Sequence, residues 1–264
     1  MALRFTNLGS GSSGNATLIE ARHADGGVTR VLVDCGLTLR ELSARLATRG
    51  TSADALDAVF VTHEHSDHVG CVLALQRRHR IAVWASAGTW RHATRNEGVA
   101  GSTGRHIARS GDTIVIGALE LRPFAVPHDA AEPLQLTCSD GAHRLGILTD
   151  LGEPNEAVVA ALQGCDALLL ECNHDPQMLA DGGYPVWLQR RIGGARGHLA
   201  NAQSAEILSL CRHDGLRLVV AAHLSQHNNR PELALAALHR AAGPAGCALS
   251  VADARDGSPW LTLG

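Results

Sequence analysis

The chain contains no lysine, few aromatic residues and no paired cysteine motif. All 23 of its Lys or Arg positions are Arg, and 26 acidic residues bring the formal net charge to −3. This balance gives no global electrostatic case for nucleic-acid binding. Because aromatic residues make up only 3% of the sequence, the core must be built from Leu, Val, Ile and Ala.

The cysteine pattern and the lengths of the apolar runs exclude further classes of protein. Seven Cys are scattered along the chain without a Cys-x-x-Cys pair. They indicate buried thiols in a reducing compartment, not a disulfide framework or a zinc knuckle. No apolar run approaches the length of a membrane span, and the N-terminus enters a strand-like stretch without the features of a signal peptide. We therefore expect a cytoplasmic protein with no membrane partner.

The order of the predicted elements indicates an α/β protein. At 264 residues with 45% hydrophobic and 19% charged residues, the composition is that of an ordinary globular protein. No repeat or linker-like composition shift divides it, so we expect residues 1–264 to form a single domain. A run of strands is followed by alternation with helices, twice over, which favours two sheets packed together with helices outside.

Four local predictions concern individual helices and loops. One helix is predicted over Val69–Arg80, and a polar, Gly-rich loop over Gly98–Arg109 is expected to act as a lid over a functional site. Tyr184–Gly197 is expected to be less regular, and Asn201 is predicted to be the N-cap of a helix over Ala202–Cys211.

Metal-ligating side chains follow the predicted strand Ala58–Val61 within a single loop. In extended geometry alternate side chains share a face, so His63 and His65 can converge on one ion. If the loop then turns, Asp67 and His68 point at a second ion. Imidazole nitrogen with carboxylate oxygen suits zinc, and also manganese or iron.

Other predicted strands also end in potential ligands. With them, the candidate set is His63, His65, Asp67, His68, His128, Asp150 and His223. Such a set can hold two divalent ions, zinc or manganese, with His63, His65 and His128 on one, Asp67, His68 and His223 on the other, and Asp150 as the bridge. Two ions a few Å apart lower the pKa of a shared water and stabilise the attacking and leaving oxygens.

The Gly/Ser-rich loop Gly9–Asn15 lies between two predicted strands. Its successive backbone N–H groups can cradle an anion. The same composition is equally compatible with a flexible turn, because no Walker lysine accompanies it.

In this order the motifs resemble those of the metallo-β-lactamase superfamily. Asp34 fits the first motif, the His63–His68 loop the second, His128 the third, Asp150 the fourth and His223 the fifth. The resemblance covers nearly the whole chain and implies a four-layer αββα sandwich with the site along one edge of the sheets.

Finer features look like the YycJ-type (WalJ) branch of this superfamily. They are Ser10–Asn15, Glu171–Asp175, and His223-Leu224-Ser225 with Asn228-Asn229. That branch implies exonuclease-like hydrolysis of phosphodiesters, 5′-3′ on single-stranded DNA. Ala200 departs from it, standing where Ser is expected. Residues expected to contact the substrate or support the ligands are Asp34, Ser12, Ser13, Asn15, Asn173, His174 and Ser225.

The positions of His198 and Glu171 resemble those in tRNA 3′-processing ribonucleases of the same superfamily. The resemblance implies that His198 protonates the leaving oxygen as general acid and that Glu171 orients it, with Asp67 also in the catalytic set. The alternatives are a structural hydrogen bond for His198 and an Arg partner for Glu171.

Three hypotheses for function follow. The leading one is a dinuclear metallohydrolase in which a metal-bound hydroxide attacks a phosphodiester. Its substrates would include single-stranded nucleic acid. The second keeps both ions but cleaves a thioester or lactone of a small molecule. The third is a metal-stabilised interaction module without catalysis, and a homodimer is compatible with each. A nuclease needs a positive track for the nucleic-acid backbone, which Arg77, Arg78 and Arg80 or Arg190, Arg191 and Arg196 can supply.

Overall fold

Two seven-stranded sheets face each other in the computed structural model, which describes residues 2–23, 25–95, 103–243 and 246–264. In spatial order, sheet 1 contains β14 (Leu261–Leu263), β1 (Leu3–Gly9), β2 (Ala16–Arg22), β3 (Val28–Val33), β4 (Ala58–Phe60), β5 (Ala82–Ala85) and β6 (Arg105–Ile107). Sheet 2 contains β13 (Ala248–Val251), β12 (Leu218–Ala222), β11 (Ala167–Glu171), β10 (Arg144–Leu148), β9 (Leu134–Ser139), β8 (Leu119–Ala125) and β7 (Ile114–Ile116).

Helices cover the outer face of each sheet. Sheet 1 packs against α1 (Leu39–Thr48), α3 (Val72–His79) and α4 (Ala87–Ala93), and the short α2 (Ser66–Val69) precedes α3. Sheet 2 packs against α5 (Glu156–Leu162), α8 (Asn201–Cys211) and α9 (Pro231–Ala242). Between β11 and α8 lie α6 (Pro176–Asp181) and α7 (Val186–Ile192). The predicted four-layer αββα sandwich is confirmed.

The largest apolar layer lies between the two sheets. Phe5 and Ile19 of sheet 1 and Leu136 and Leu169 of sheet 2 have no exposed surface. Burying a side chain of this size contributes about 1.5–3 kcal/mol. The scarcity of aromatic residues is thus compensated by aliphatic residues, as the composition predicts.

Strand direction brings the functional loops to one edge. Strands β3, β4, β5 and β6 are parallel, and so are β10, β11, β12 and β13. Strand β8 runs in the direction of β10 because both are antiparallel to β9. The carboxyl ends of β3 and β4 in sheet 1, and of β8, β10, β11 and β12 in sheet 2, therefore carry the loops that form the site.

The helix predicted over Val69–Arg80 is divided in two at Gly70 and Cys71. Gly70 adopts φ of 22°, and a Cβ there would lie 2.4 Å from the carbonyl oxygen of Cys35. Only glycine fits so close to another backbone. The break separates the turn that carries Asp67 and His68 from α3.

Two other local predictions are wrong. Tyr184–Gly197 contains the regular helix α7. Ala200, not Asn201, is the N-cap of α8, because the Asn201 amide group pairs with that of Asn229 at 2.9 and 2.8 Å. The Ala200 N–H instead donates to Gln203 Oε1 at 2.9 Å.

The loop predicted over Gly98–Arg109 is only partly described. Residues 98–102 lie outside the described residues, and residues 105–107 form the edge strand β6, which pairs with β5. None of the helices in the described ranges is both long and apolar enough to cross a bilayer.

Candidate metal centre

All seven predicted ligands meet where the two sheets present their carboxyl ends. The ligand atoms of His63, His65 and His128 lie within 4.8 Å of one another, and this trio is called cluster A. Those of Asp67, His68 and His223 do the same and form cluster B. The ligand atoms of Asp150 also lie within that distance of those of His63 and His68. Asp150 therefore stands between the two clusters.

In each histidine of cluster A, one ring nitrogen contacts a neighbouring polar group and the other faces the cluster. His63 Nδ1 lies 3.0 Å from the hydroxyl of the preceding threonine, and His128 Nδ1 donates to the Gly197 carbonyl at 2.9 Å. His65 Nε2 lies 3.3 Å from the Asp129 carbonyl. The remaining nitrogens of His65 and His128 are 3.4 Å apart. Such outer contacts fix the ring orientation of metal-binding histidines.

Cluster B is built on the short helix α2 and the end of β12. His68 Nδ1 contacts Asp34 Oδ2 at 2.8 Å, and its Nε2 lies 3.0 Å from Asp150 Oδ2. Asp67 Oδ2 is 3.5 Å from His68 Nε2 and 3.4 Å from His223 Nε2. One nitrogen of His68 is therefore held by a carboxylate while the other faces the cluster.

Asp34 supports both clusters from behind. It follows β3 with φ of 62°, a left-handed conformation that is uncommon outside glycine and concentrates at functional sites. Its Oδ1 accepts a hydrogen bond from the Thr62 N–H at 2.8 Å. The Thr62 hydroxyl contacts His63, while Asp34 itself contacts His68. One buried carboxylate thus positions a ligand in each cluster.

The backbone of His223 is held in a comparable way. Its φ is 53°, and its N–H donates to Ser10 Oγ at 2.7 Å. Asn173 Nδ2 donates to the His223 carbonyl at 3.1 Å. Ser10 therefore gives the Gly/Ser loop a structural role at the site.

The donor set fits divalent cations. His63, His128 and Asp150 are 0%, 0% and 1% exposed. Within the described part of the chain, His63 Nε2 and both ring nitrogens of His223 are buried without a hydrogen-bond partner. Buried polar atoms normally find a partner, and here imidazole nitrogens and carboxylate oxygens face a common centre. These buried clusters are consistent with a dinuclear metal site.

The pKa values of the clustered groups reflect their burial and the charges of their neighbours. Burial lowers the pKa of His63 well below its ordinary value. Burial also acts to lower the pKa of His68, but Asp150 and Asp34 together outweigh it and raise that pKa well above the ordinary value. At His223, burial is again outweighed by the nearby carboxylates of Asp150 and Asp67, and the pKa is raised well above its ordinary value. Burial acts to raise the pKa of Asp67, but His223 and His68 lower it to about 2. Divalent cations can take over the positive charge that these histidines hold.

His198 and Glu171 form a separate pair beside the clusters. His198 Nδ1 lies 2.8 Å from Glu171 Oε1, and the His198 ring centroid is 5.2 Å from those of both His128 and His223. Glu171 has no exposed surface, and its second oxygen accepts a hydrogen bond from the Leu151 N–H at 2.8 Å. Its described ion-pair partners are histidines, so the alternative of an Arg partner is not found among the described residues.

The other predicted supporting residues divide into two groups. The Asn15 side chain contacts Asp67 and His68, with Nδ2 3.3 Å from Asp67 Oδ2. Ser12 and Ser13 are exposed, and no contact with the clusters is recorded for them within the described residues.

Two further predicted supporting residues lie around the His223 loop. Ser225 Oγ bonds the N–H of Asn228, so it stabilises its own loop. His174 is buried and forms an isolated bridge with Ala200.

Asp129 was not among the predicted site residues. Its Oδ1 lies 3.4 Å from His128 Nε2 and 3.7 Å from His65 Nε2, while Oδ2 accepts a hydrogen bond from Arg191 Nε at 2.6 Å. Its place directly after His128 is the sequence signal that could have identified it. Through Asp129, the helix α7 contacts the edge of cluster A.

The two arginine groups lie in different places. Arg77, Arg78 and Arg80 lie at the C-terminal end of α3 and before β5, at the edge opposite the site. Arg190, Arg191 and Arg196 lie on or just after α7. The backbone N–H of His198 donates to the carbonyl of Ile192 in the same helix at 2.8 Å. Among the described contacts of these arginines, that of Arg191 with Asp129 links the second group to cluster A.

Comparison with known proteins agrees with this geometry. The profile of the Beta-lactamase superfamily domain matches residues 29–224. The chain thus belongs to the metallo-β-lactamase superfamily. Within it, the chain is 31% identical to exodeoxyribonuclease WalJ of Streptococcus pneumoniae over 236 residues, which cover 89% of this chain and 86% of that protein. It is 32% identical to exodeoxyribonuclease YycJ of Bacillus anthracis over 234 residues, covering 89% and 87% of the two chains. The resemblance to the YycJ-type branch is confirmed.

A solved structure supports the fold. The metallo-beta-lactamase fold protein YhfI from Bacillus subtilis superposes with a TM-score of 0.74 at 17% identity, covering 99% of each chain. At that identity the likeness concerns the architecture alone.

Proposed function

We propose that this protein is a dinuclear metal-dependent phosphodiesterase that acts as an exonuclease on single-stranded DNA. The observation that carries the proposal is the position of His198, between both ligand clusters and held through Nδ1 by a buried carboxylate. The names of the WalJ and YycJ relatives point to the same chemistry. Since the ligands come from both sheets, we infer that residues 1–264 work as one domain.

The residues present define which side chains hold the ions. His63, His65 and His128 would hold one ion and Asp67, His68 and His223 the other, and Asp150 lies beside both sets of ligands. Zinc and manganese both suit this mixture of nitrogen and oxygen ligands. When bound, such a pair of ions supplies Lewis-acid stabilisation of phosphoryl oxygens and a water of lowered pKa.

His198 donates the proton that the leaving oxygen needs. Its Nδ1–H is held by Glu171 at 2.8 Å, so Nε2 is the atom left to carry a proton toward the substrate. Burial fixes Glu171 in place, and the Leu151 N–H holds its other oxygen. Expulsion of an alkoxide from phosphorus requires this protonation, whereas expulsion of a thiolate does not. The His198–Glu171 pair therefore favours a phosphodiester over a thioester as the substrate.

The substrate approaches from the partly exposed side of the centre. The side chains of His65, Asp67 and His198 are 28%, 19% and 21% exposed, whereas those of His63 and His128 are buried. Helix α7 borders this side and carries Arg191.

One turn before Arg191 on helix α7, Trp187 is 66% exposed. Positions four apart share a helix face. Cationic and aromatic side chains together suit single-stranded nucleic acid, whose bases stack on aromatic rings.

The test is metal-dependent degradation of single-stranded oligonucleotides labelled at either end. Protein loaded with manganese or zinc is expected to shorten DNA stepwise, and the labelled end that survives gives the polarity. Asp67→Ala is expected to abolish cleavage. Asp54→Ala, an exposed carboxylate paired with His79 outside the clusters, is the matched control and is expected to retain activity.

Two further substrates separate the remaining hypotheses. If oligonucleotides survive while a thioester or lactone is cleaved, the nuclease proposal fails and the carbon-ester hydrolase replaces it. If nothing is cleaved although both ions are bound, the interaction module replaces it.

A further inference from the structure

Two thiols meet beside the loops that build the centre. Cys35 Sγ and Cys71 Sγ lie 3.2 Å apart, although the residues are separated by 36 positions in the sequence. Cys35 directly follows Asp34, and Cys71 follows the α2 turn that carries Asp67 and His68. Neither thiol belongs to the ligand clusters, and the proposed hydrolysis uses neither.

Backbone hydrogen bonds hold the two segments that carry these thiols next to each other. The Cys35 N–H donates to the His68 carbonyl at 2.8 Å, and the Cys71 N–H donates to the Cys35 carbonyl at 3.0 Å. A Cβ on Gly70 would lie 2.4 Å from the Cys35 carbonyl oxygen, so the two chain segments are in direct contact. The backbone contacts therefore hold the two cysteine residues side by side, and the rotamers of their side chains set the distance between the sulfur atoms.

We propose that Cys35 and Cys71 are a redox-active pair that closes to an intramolecular disulfide. A disulfide has sulfur atoms about 2.05 Å apart, so closure requires an approach of ~1 Å. Rotation of the two side chains can provide this without separating the backbone contacts. Independently of the proposed nuclease activity, this assigns a covalent modification to the pair.

A small-molecule disulfide such as oxidised glutathione is a sufficient oxidant. Cys71 is partly exposed, whereas Cys35 is 0% exposed, so the Cys71 sulfur attacks the oxidant and releases one glutathione. The Cys35 sulfur then attacks the mixed disulfide, forms the Cys35–Cys71 bond and releases the second. Two thiols lose two electrons and two protons, and one oxidised glutathione becomes two reduced molecules.

Closure should stabilise the fold by constraining the unfolded chain. The linked positions lie 36 residues apart, a loop for which the expected rise in Tm is roughly 5–10 °C. The bond would also tie the segment after Asp34 to the start of α3, on either side of the α2 turn.

The test maps thiols after equilibration with glutathione mixtures of increasing oxidation. Because the chain has no Lys, trypsin cleaves at Arg and separates Cys35 in peptide 31–40 from Cys71 in peptide 50–77. We expect these two peptides to be recovered linked, with the loss of two hydrogens and no alkylation at either thiol. Buried Cys138 and Cys172 should remain free thiols.

Matched variants complete the test. Cys247→Ser removes another partly exposed thiol and should leave the link and its Tm rise unchanged. Cys71→Ser should abolish both. Recovery of the two peptides separately, as alkylated thiols or as glutathione adducts, would overturn the proposal. So would a link that forms only between molecules, with a yield that rises with protein concentration.

Discussion

Replacing His198 with Ala should separate proton donation from metal binding. His198 Nδ1 is held by Glu171 at 2.8 Å, and the ring lies between the two clusters without being required by either trio. Loss of a positioned general acid typically costs ~10²–10⁴-fold in rate, which corresponds to about 3–5 kcal/mol of transition-state stabilisation. We expect a loss of this size for His198→Ala on DNA, whose leaving group is an alkoxide.

The assay compares two leaving groups on the same variant. A nitrophenolate is stable without a proton, so cleavage of bis-para-nitrophenyl phosphate should fall much less than cleavage of DNA. His227→Ala removes an exposed histidine and serves as the matched control. Glu171→Gln should reproduce part of the loss, because the carboxylate no longer fixes the proton on Nδ1.

Two results would refute the reasoning. An equal loss on both substrates with both ions still bound would exclude a role in protonating the leaving group. Loss of an ion from His198→Ala would make His198 a ligand, as its membership in a group with Asp150, Glu171 and His223 allows. Metal content measured on the purified variants distinguishes these results.

Three further predictions concern the ligands and their support. Asp34→Asn removes the carboxylate behind His68 and should weaken metal affinity by ~10–100-fold, measured by competition with a chelator. Gly36→Ala would place a Cβ 1.7 Å from the Asp67 carbonyl oxygen, so thermal unfolding should occur at lower temperature than for Gly183→Ala, where no atom lies within 4 Å of the added Cβ and the backbone is not left-handed. Equal Tm values would contradict this. Carboxylates raise the pKa of His68 in the folded protein above its ordinary value. Protonated His68 therefore contributes fully to the free energy of unfolding below its pKa in the unfolded chain. This contribution is lost as the pH rises through its pKa in the folded protein. Metal binding displaces this proton, and affinity in a calorimetric titration should therefore rise with pH over that range; a pH-independent affinity would contradict it.

The sequence by itself determined the fold class and predicted the candidate ligands. Alternation of apolar strands with amphipathic helices leads to two covered sheets, because each element must bury its apolar face. Potential ligands such as His63, Asp150 and His223 follow strands directly, and parallel strands bring their carboxyl ends to one edge. Local patterns of this kind are visible without tertiary information.

Only the tertiary structure decided how these residues work together. Asn201 has the residue type of an N-cap, but its amide group pairs with Asn229 from a distant loop. Glu171 could have paired with an Arg, but in the structure its carboxylate contacts His198 from a neighbouring loop. Cys35 and Cys71 are unremarkable in the sequence, yet backbone hydrogen bonds between their loops bring the thiols to 3.2 Å. Each of these outcomes depends on contacts between residues far apart in the chain, and no local propensity encodes them.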